Sequence, residues 1–191
     1  MSLFLGAIPM ALATIVNGFL KYGTVLYGDV AIHIAETLWY VYVILALLVA
    51  WVVPFTMFQH QEHALQNMTA MWLLPIVACE VAAGSGGLLV GHLLANTHAV
   101  TILLGSYVLW GISVLPAFAI LSLLMLRLVL HRVPEKEQAL SSWLALGPIG
   151  TGAFALLVLG QQAPTVLASV GFAELGQFFQ HAGIFASLIL L

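Results

Sequence analysis

An all-α integral membrane protein with six transmembrane helices arranged in hairpins is the fold class this sequence predicts. Three observations carry that prediction. The 191 residues are 63% hydrophobic and only 6% charged, with a mean hydropathy of +1.13. A soluble domain is usually about 25% charged. Apolar stretches of the ~20 residues needed to cross a bilayer recur six times, over residues 2–20, 30–53, 71–94, 100–130, 143–160 and 172–191. Every second stretch also carries a proline near its middle or in its inner half, at Pro9, Pro75 and Pro148. Proline removes a backbone donor, and in a bilayer the freed carbonyl must be covered by protein or face a watery cavity. The alternation therefore predicts odd, proline-containing helices inside, around a path, and even helices outside.

The first span opens on Phe4-Leu5-Gly6-Ala7-Ile8-Pro9. Ala11-Leu12-Ala13 resembles a signal cleavage site, but no Lys or Arg precedes Lys21 and Pro9 interrupts the apolar run, so it reads as a mature span. The second span holds Trp39, Tyr40, Tyr42 and Trp51, and the fourth Tyr107, Trp110 and Phe118. These bulky residues suit a lipid-facing outer ring. The third span is rich in small residues (Ala78, Ala82, Ala83, Gly84, Gly86, Gly87), as is the start of the fifth (Gly147, Gly150, Gly152, Ala153), which suits close helix packing. The connections are short. The polar sequence lies mainly in Gln59–His63 and His131–Gln138, and the whole chain reads as one transmembrane domain.

Orientation follows from basic residues near span ends. Arg127, Arg132 and Lys136 lie on the side of the N-terminus and Lys21 on the other, which predicts a cytoplasmic N-terminus in a multi-pass plasma (inner) membrane protein. Four Lys and Arg in total exclude nucleic-acid binding. The single cysteine, Cys79, excludes a disulfide within the chain.

Glu80, near the middle of the third span, is the costliest residue. A charge at that depth costs about 2.5–3.5 kcal/mol on insertion scales, so the carboxyl faces the bundle or carries a proton. It is a candidate proton-coupling group; the plainer reading is a neutral carboxyl hydrogen-bonded to another helix. His33 and Glu36, three residues apart, are expected to pair on one face of the second span. Thr14 and Asn17 are further polar positions, and Glu174 reads as an acid tolerated at a helix start. A haem would need facing histidines at matched depth; His33 and His92 are the pair to consider. No Cys-x-x-Cys-His is present, and the sequence calls for no cofactor and no metal.

Three stretches resemble a known family. They are Phe4–Gly18, His63–Pro75 with Val81–Gly87, and Trp143–Ala153. Each is similar to a pore-helix motif of the tellurite-resistance/C4-dicarboxylate transporter family, and they arrive in the family's order. The likeness is to its voltage-dependent anion channel and malic-acid transporter branch; the family also includes sulfite exporters and plant slow anion channels. The resemblance implies a pseudo-fivefold pore of ten helices, of which this sequence matches the third to the eighth. The first and last hairpins would lie outside it, and a fragment inactive on its own is one reading. It also implies cytoplasmic termini and a homotrimer. It assigns no gating role to Phe154.

The function expected is transport of a small anion, C4-dicarboxylates such as malate first, with sulfite, chloride and nitrate also open. No enzymatic activity is expected, and the partners are the anion and the lipid bilayer. The candidate pore-lining residues are Pro9, Ala13, Thr14, Pro75, Cys79, Ala82, Ala83, Gly86, Pro148, Thr151 and Gly152. No Lys or Arg lies deep in those spans, so attraction would come from half-helix dipoles exposed at the breaks. A b-type haem redox subunit is the rival from another class.

Overall fold

The computed structural model describes residues 2–60, 64–93, 98–131 and 140–191. His63, Arg132, Lys136 and most of both polar connections lie outside the described residues. Six long helices follow the six predicted spans: α1 (Ala7–Gly18), α2 (Asp29–His60), α3 (Leu74–Val90), α4 (His98–His131), α5 (Leu146–Ala168) and α6 (Ala173–Leu190). The α1 span continues through a π-helical turn, Phe19–Gly23, to Tyr27. Among the described residues five helices are long and apolar enough to cross a membrane; α6, which carries Gln177, Gln180 and His181, is not one of them.

The three prolines do not break the odd helices at mid-span. Each stands within the first three residues of its α-helix, directly after a 3-10 segment: Ser2–Gly6 before Pro9, Ala70–Leu73 before Pro75 and Leu140–Ala145 before Pro148. The reason is that the first N–H groups of a helix have no intrahelical partner, so proline costs nothing there. All three junctions lie at one end of the bundle, because the odd helices run in one direction. Ser2–Gly6 packs on Ala70–Leu73, which packs in turn on Leu140–Ala145, so the junctions form a collar.

Two hairpins close on glycines with positive φ, Gly28 (58°) between α1 and α2, and Gly171 (86°) between α5 and α6. α3 is the hub and packs against α1, α2, α4 and α5. Within each span's most apolar eighteen residues, 78% are buried in α3, 44% in α5 and 28% in α1, against 22% in both α2 and α4. The predicted order, odd helices inside and even helices outside, holds for α3 and α5, whereas α1 is scarcely more buried than α2 and α4. The most extensive pairing is α5 with α6, where a Cβ on Gly183 would sit 2.7 Å from Leu156 O and one on Gly176 2.7 Å from Pro164 Cα.

Candidate functional site

The outer helices hold α3 by its own main chain. Trp39 Nε1 on α2 donates to Ala82 O at 2.9 Å, and Tyr42 OH donates to Ala78 O at 2.9 Å. Trp110 Nε1 on α4 reaches α5 in the same manner, donating to Gly152 O at 3.0 Å. This corrects the reading of those aromatics as lipid-facing bulk. Trp39 and Tyr42 are buried, because an indole N–H or phenol needs a partner that lipid cannot supply. Tyr40 and Trp51 do face outward.

The predicted pore-lining residues fall in two places. Pro9, Ala13, Pro75, Cys79, Ala82, Ala83, Gly86, Pro148 and Gly152 are buried in helix contacts. A Cβ on Gly86 would meet Ser106 and Trp39, and one on Gly152 would meet Val114 and Trp110, so both turn toward outer helices. Thr14 is exposed and Thr151 half-buried.

A different stripe faces the open side of the inner helices. On α5, Gly152 turns to α4, Phe154, Ala155 and Val158 meet Gly84 and Gly87 of α3, and Leu156 and Gly160 meet α6. What is left, on the side away from α4, is Gly150, Leu157 and Gln161, with Phe154 at the edge where it covers Gly84; each is exposed or half-buried. On α3 Gly84 is buried beneath Phe154 and Val77 is buried too, while Val81 and Leu88 are half-buried; on α1 Thr14 is exposed and Met10 and Asn17 are half-buried. No residue of this stripe is ionisable. Sequence reasoning picked the glycines and missed the stripe, because small residues mark where helices touch, and the open face lies between those contacts. The available signal was the i, i+4, i+7, i+11 run of Gly150, Phe154, Leu157 and Gln161, which puts a polar amide at span depth.

Glu80 is fully buried at the junction of α3, α4 and α5. Its Oε2 lies 3.3 Å from Ser113 Oγ, and its Oε1 is hydrogen-bonded to Thr151 Oγ1. Each hydroxyl also reaches a helix carbonyl: Ser113 Oγ lies 2.8 Å from Ile76 O, and Thr151 Oγ1 lies 2.7 Å from Gly147 O. The expected bond from Glu80 to neighbouring helices is therefore present.

Glu36 does not pair with His33. Its Oε1 lies 2.8 Å from His98 Nδ1, at the start of α4. His33 is exposed and turns elsewhere on α2. At the collar end, Arg127 is buried and donates through Nε and Nη2 to Gln66 O, at 3.3 and 3.1 Å. It lines a cavity of about 60 Å³ with Thr69 and Ser142. Among the described residues no three His, Cys, Asp or Glu side chains converge as metal ligands would.

Inner helices braced by outer ones, most of them long and apolar enough to cross a membrane, with a collar of helix starts at one end, define a multi-pass membrane protein. Comparison with known proteins then places it. The sequence pattern of the voltage-dependent anion channel family matches residues 1–191, and the chain belongs to that family. A sulfite efflux pump of Arthroderma otae is 37% identical over 191 residues, covering 99% of this chain and 51% of the relative. The sulfite efflux pump of Trichophyton rubrum is 35% identical over the same coverage. An uncharacterized transporter of Methanocaldococcus jannaschii is 29% identical over 140 residues, 73% of this chain and 41% of the relative. The chain thus spans about half the length of the curated relatives it matches most fully. No solved structure matches.

Proposed function

We propose that this chain supplies part of a path for a small anion, with sulfite as the favoured substrate. The observation that carries the proposal is the uncharged set of exposed or half-buried residues Thr14, Asn17, Gly150, Phe154 and Gln161 on inner helices whose starts lie together at one end. Helix N-termini carry partial positive charge, and Arg127 lies at the same end. Attraction is thus placed at the mouth, and the interior holds no fixed charge that would trap an anion, a combination that suits conduction. The sulfite efflux pumps among the relatives favour sulfite over malate, and the basic residues favour a cytoplasmic mouth.

The test is flux from proteoliposomes containing the full chain, loaded in turn with sulfite, malate and chloride. Sulfite flux above that of empty vesicles is the expected result. Flux of malate in preference to sulfite would reassign the substrate, and no flux of any anion would remove the proposal.

A further inference from the structure

The contacts around Glu80 contain a proton count. Thr151 Oγ1 touches Glu80 Oε1 and lies 2.7 Å from Gly147 O; Ser113 Oγ lies 2.8 Å from Ile76 O and 3.3 Å from Glu80 Oε2. Each hydroxyl owns one proton, and an ionised carboxylate owns none. Two protons would then serve four acceptor contacts. A neutral Glu80 brings a third. Its O–H donates to Thr151 Oγ1, Thr151 donates onward to Gly147 O, and Ser113 donates to Ile76 O. The one contact left over is Ser113 to Oε2, which is the longest of those with a measured length.

The surroundings offer no countercharge to a carboxylate. On its own helix the titratable neighbour is Cys79, and on α2 it is Tyr42. α4 presents Ser113 and α5 presents Thr151, with Gly152 beside them; neither is charged. No Lys, Arg, His or Asp contacts Glu80 among the described residues.

We propose that Glu80 is a proton-operated positioning residue for the inner helix α5. Neutral, it holds Thr151 in a chain that ends on the carbonyl of Gly147. On losing its proton, it draws the hydroxyl protons of Thr151 and Ser113 to itself, and the carbonyls of Gly147 and Ile76 lose those donors. The segment affected is the first turn of α5. It is free to shift there: Pro148 supplies no N–H, and positions 147 and 150 have open space where a Cβ would stand. Beyond it, Trp110 holds Gly152 O as a fixed point. Half-buried Thr151 is the member of the chain through which the proton exchanges. This inference rests on reading α5 as a path-lining helix.

Two measurements on the full chain test it. In infrared difference spectra of the lipid-reconstituted protein, the C=O stretch of a protonated carboxyl is expected, lost in Glu80→Gln and shifted in Thr151→Val. Thr151→Ser, which keeps the hydroxyl, should return it to the wild-type frequency. In flux assays Glu80→Gln, whose amide can donate to Thr151 and accept from Ser113, should keep flux and lose its pH dependence. A carboxylate in place of the protonated band would overturn the inference, as would a wild-type pH profile in Glu80→Gln. The spectra need no transport, so absent flux removes the anion path while the proton on Glu80 is still decided.

Discussion

Replacing Gly6 by alanine should loosen the collar, and the structure sets the size of the effect. A Cβ at Gly6 would stand 2.2 Å from Leu74 O, 2.5 Å from Leu74 C and 2.8 Å from Pro75 N. All three are backbone atoms at the start of α3, so no side chain can swing aside. Ordinary contact begins at 3.4 Å, so the start of α1 must retreat by about 1.2 Å. Overpacking of this kind costs about 1–3 kcal/mol. Gly18→Ala, on the same helix, is the control. Nothing lies within 4 Å of a Cβ there, and alanine in a helix is worth about 0.5–1 kcal/mol over glycine. The two variants should therefore move thermal stability in opposite directions, by about 2–4 °C per kcal/mol for a chain of this length. Unfolding in detergent, followed by tryptophan fluorescence, reads the difference. If Gly6→Ala proves as stable as Gly18→Ala, α1 does not approach α3 through Gly6 and the collar is wrongly drawn.

Other outcomes follow from the same geometry. Trp39→Phe removes the donor to Ala82 O and should cost about 0.6 kcal/mol, the average for hydrogen bonds between membrane helices, and no more than about 1.7 kcal/mol, measured by the same unfolding assay. His98→Ala removes the partner of Glu36; because the His98 side chain is 59% exposed, the loss should stay below about 1 kcal/mol. Phe154→Ala uncovers Gly84 beneath the open stripe and should raise flux of the larger anion, malate, relative to sulfite in the proteoliposome assay. Gly183→Leu forces a side chain against Leu156 O, so α6 should separate from α5, seen as faster proteolysis of the last hairpin.

Helix number and, for α3 and α5, the inner assignment were legible because bilayer thickness and the cost of exposed backbone act on composition alone. Pro9, Pro75 and Pro148 were legible as belonging to the odd helices but not as to their place within them, and the alternation is imperfect, since Pro54 and Pro116 stand inside the outer helices α2 and α4. Their position after a 3-10 turn depends on where each helix starts, and helix boundaries leave a weak trace in sequence. The aromatics misled for a different reason. Trp39 and Tyr42 have the same composition signature as Tyr40 and Trp51, and only the rotation of α2 decides which pair reaches α3. The pairing of Glu36 with His98, across 62 positions of chain, was hidden behind the nearer His33. Glu80 was visible at once, since no periodicity is needed to notice an acid at mid-span. Its partners Ser113 and Thr151 were not, because hydroxyls within spans are common and carry no signal of which helix they will meet.

The bracing of α3 also bears on how the protein is made. α3 finds its hydrogen-bond partners on both sides in sequence: Ala78 O and Ala82 O accept from Tyr42 and Trp39 before it, and the Glu80 carboxyl meets Ser113 and Thr151 after it. As α3 leaves the ribosome only the first two exist. Its acid and its glycine-rich face then have no shelter in lipid until α4 and α5 have been synthesised. α3 is thus poorly suited to settling in the membrane by itself, and a chain halted after it should be held by the insertion machinery or handed to quality control.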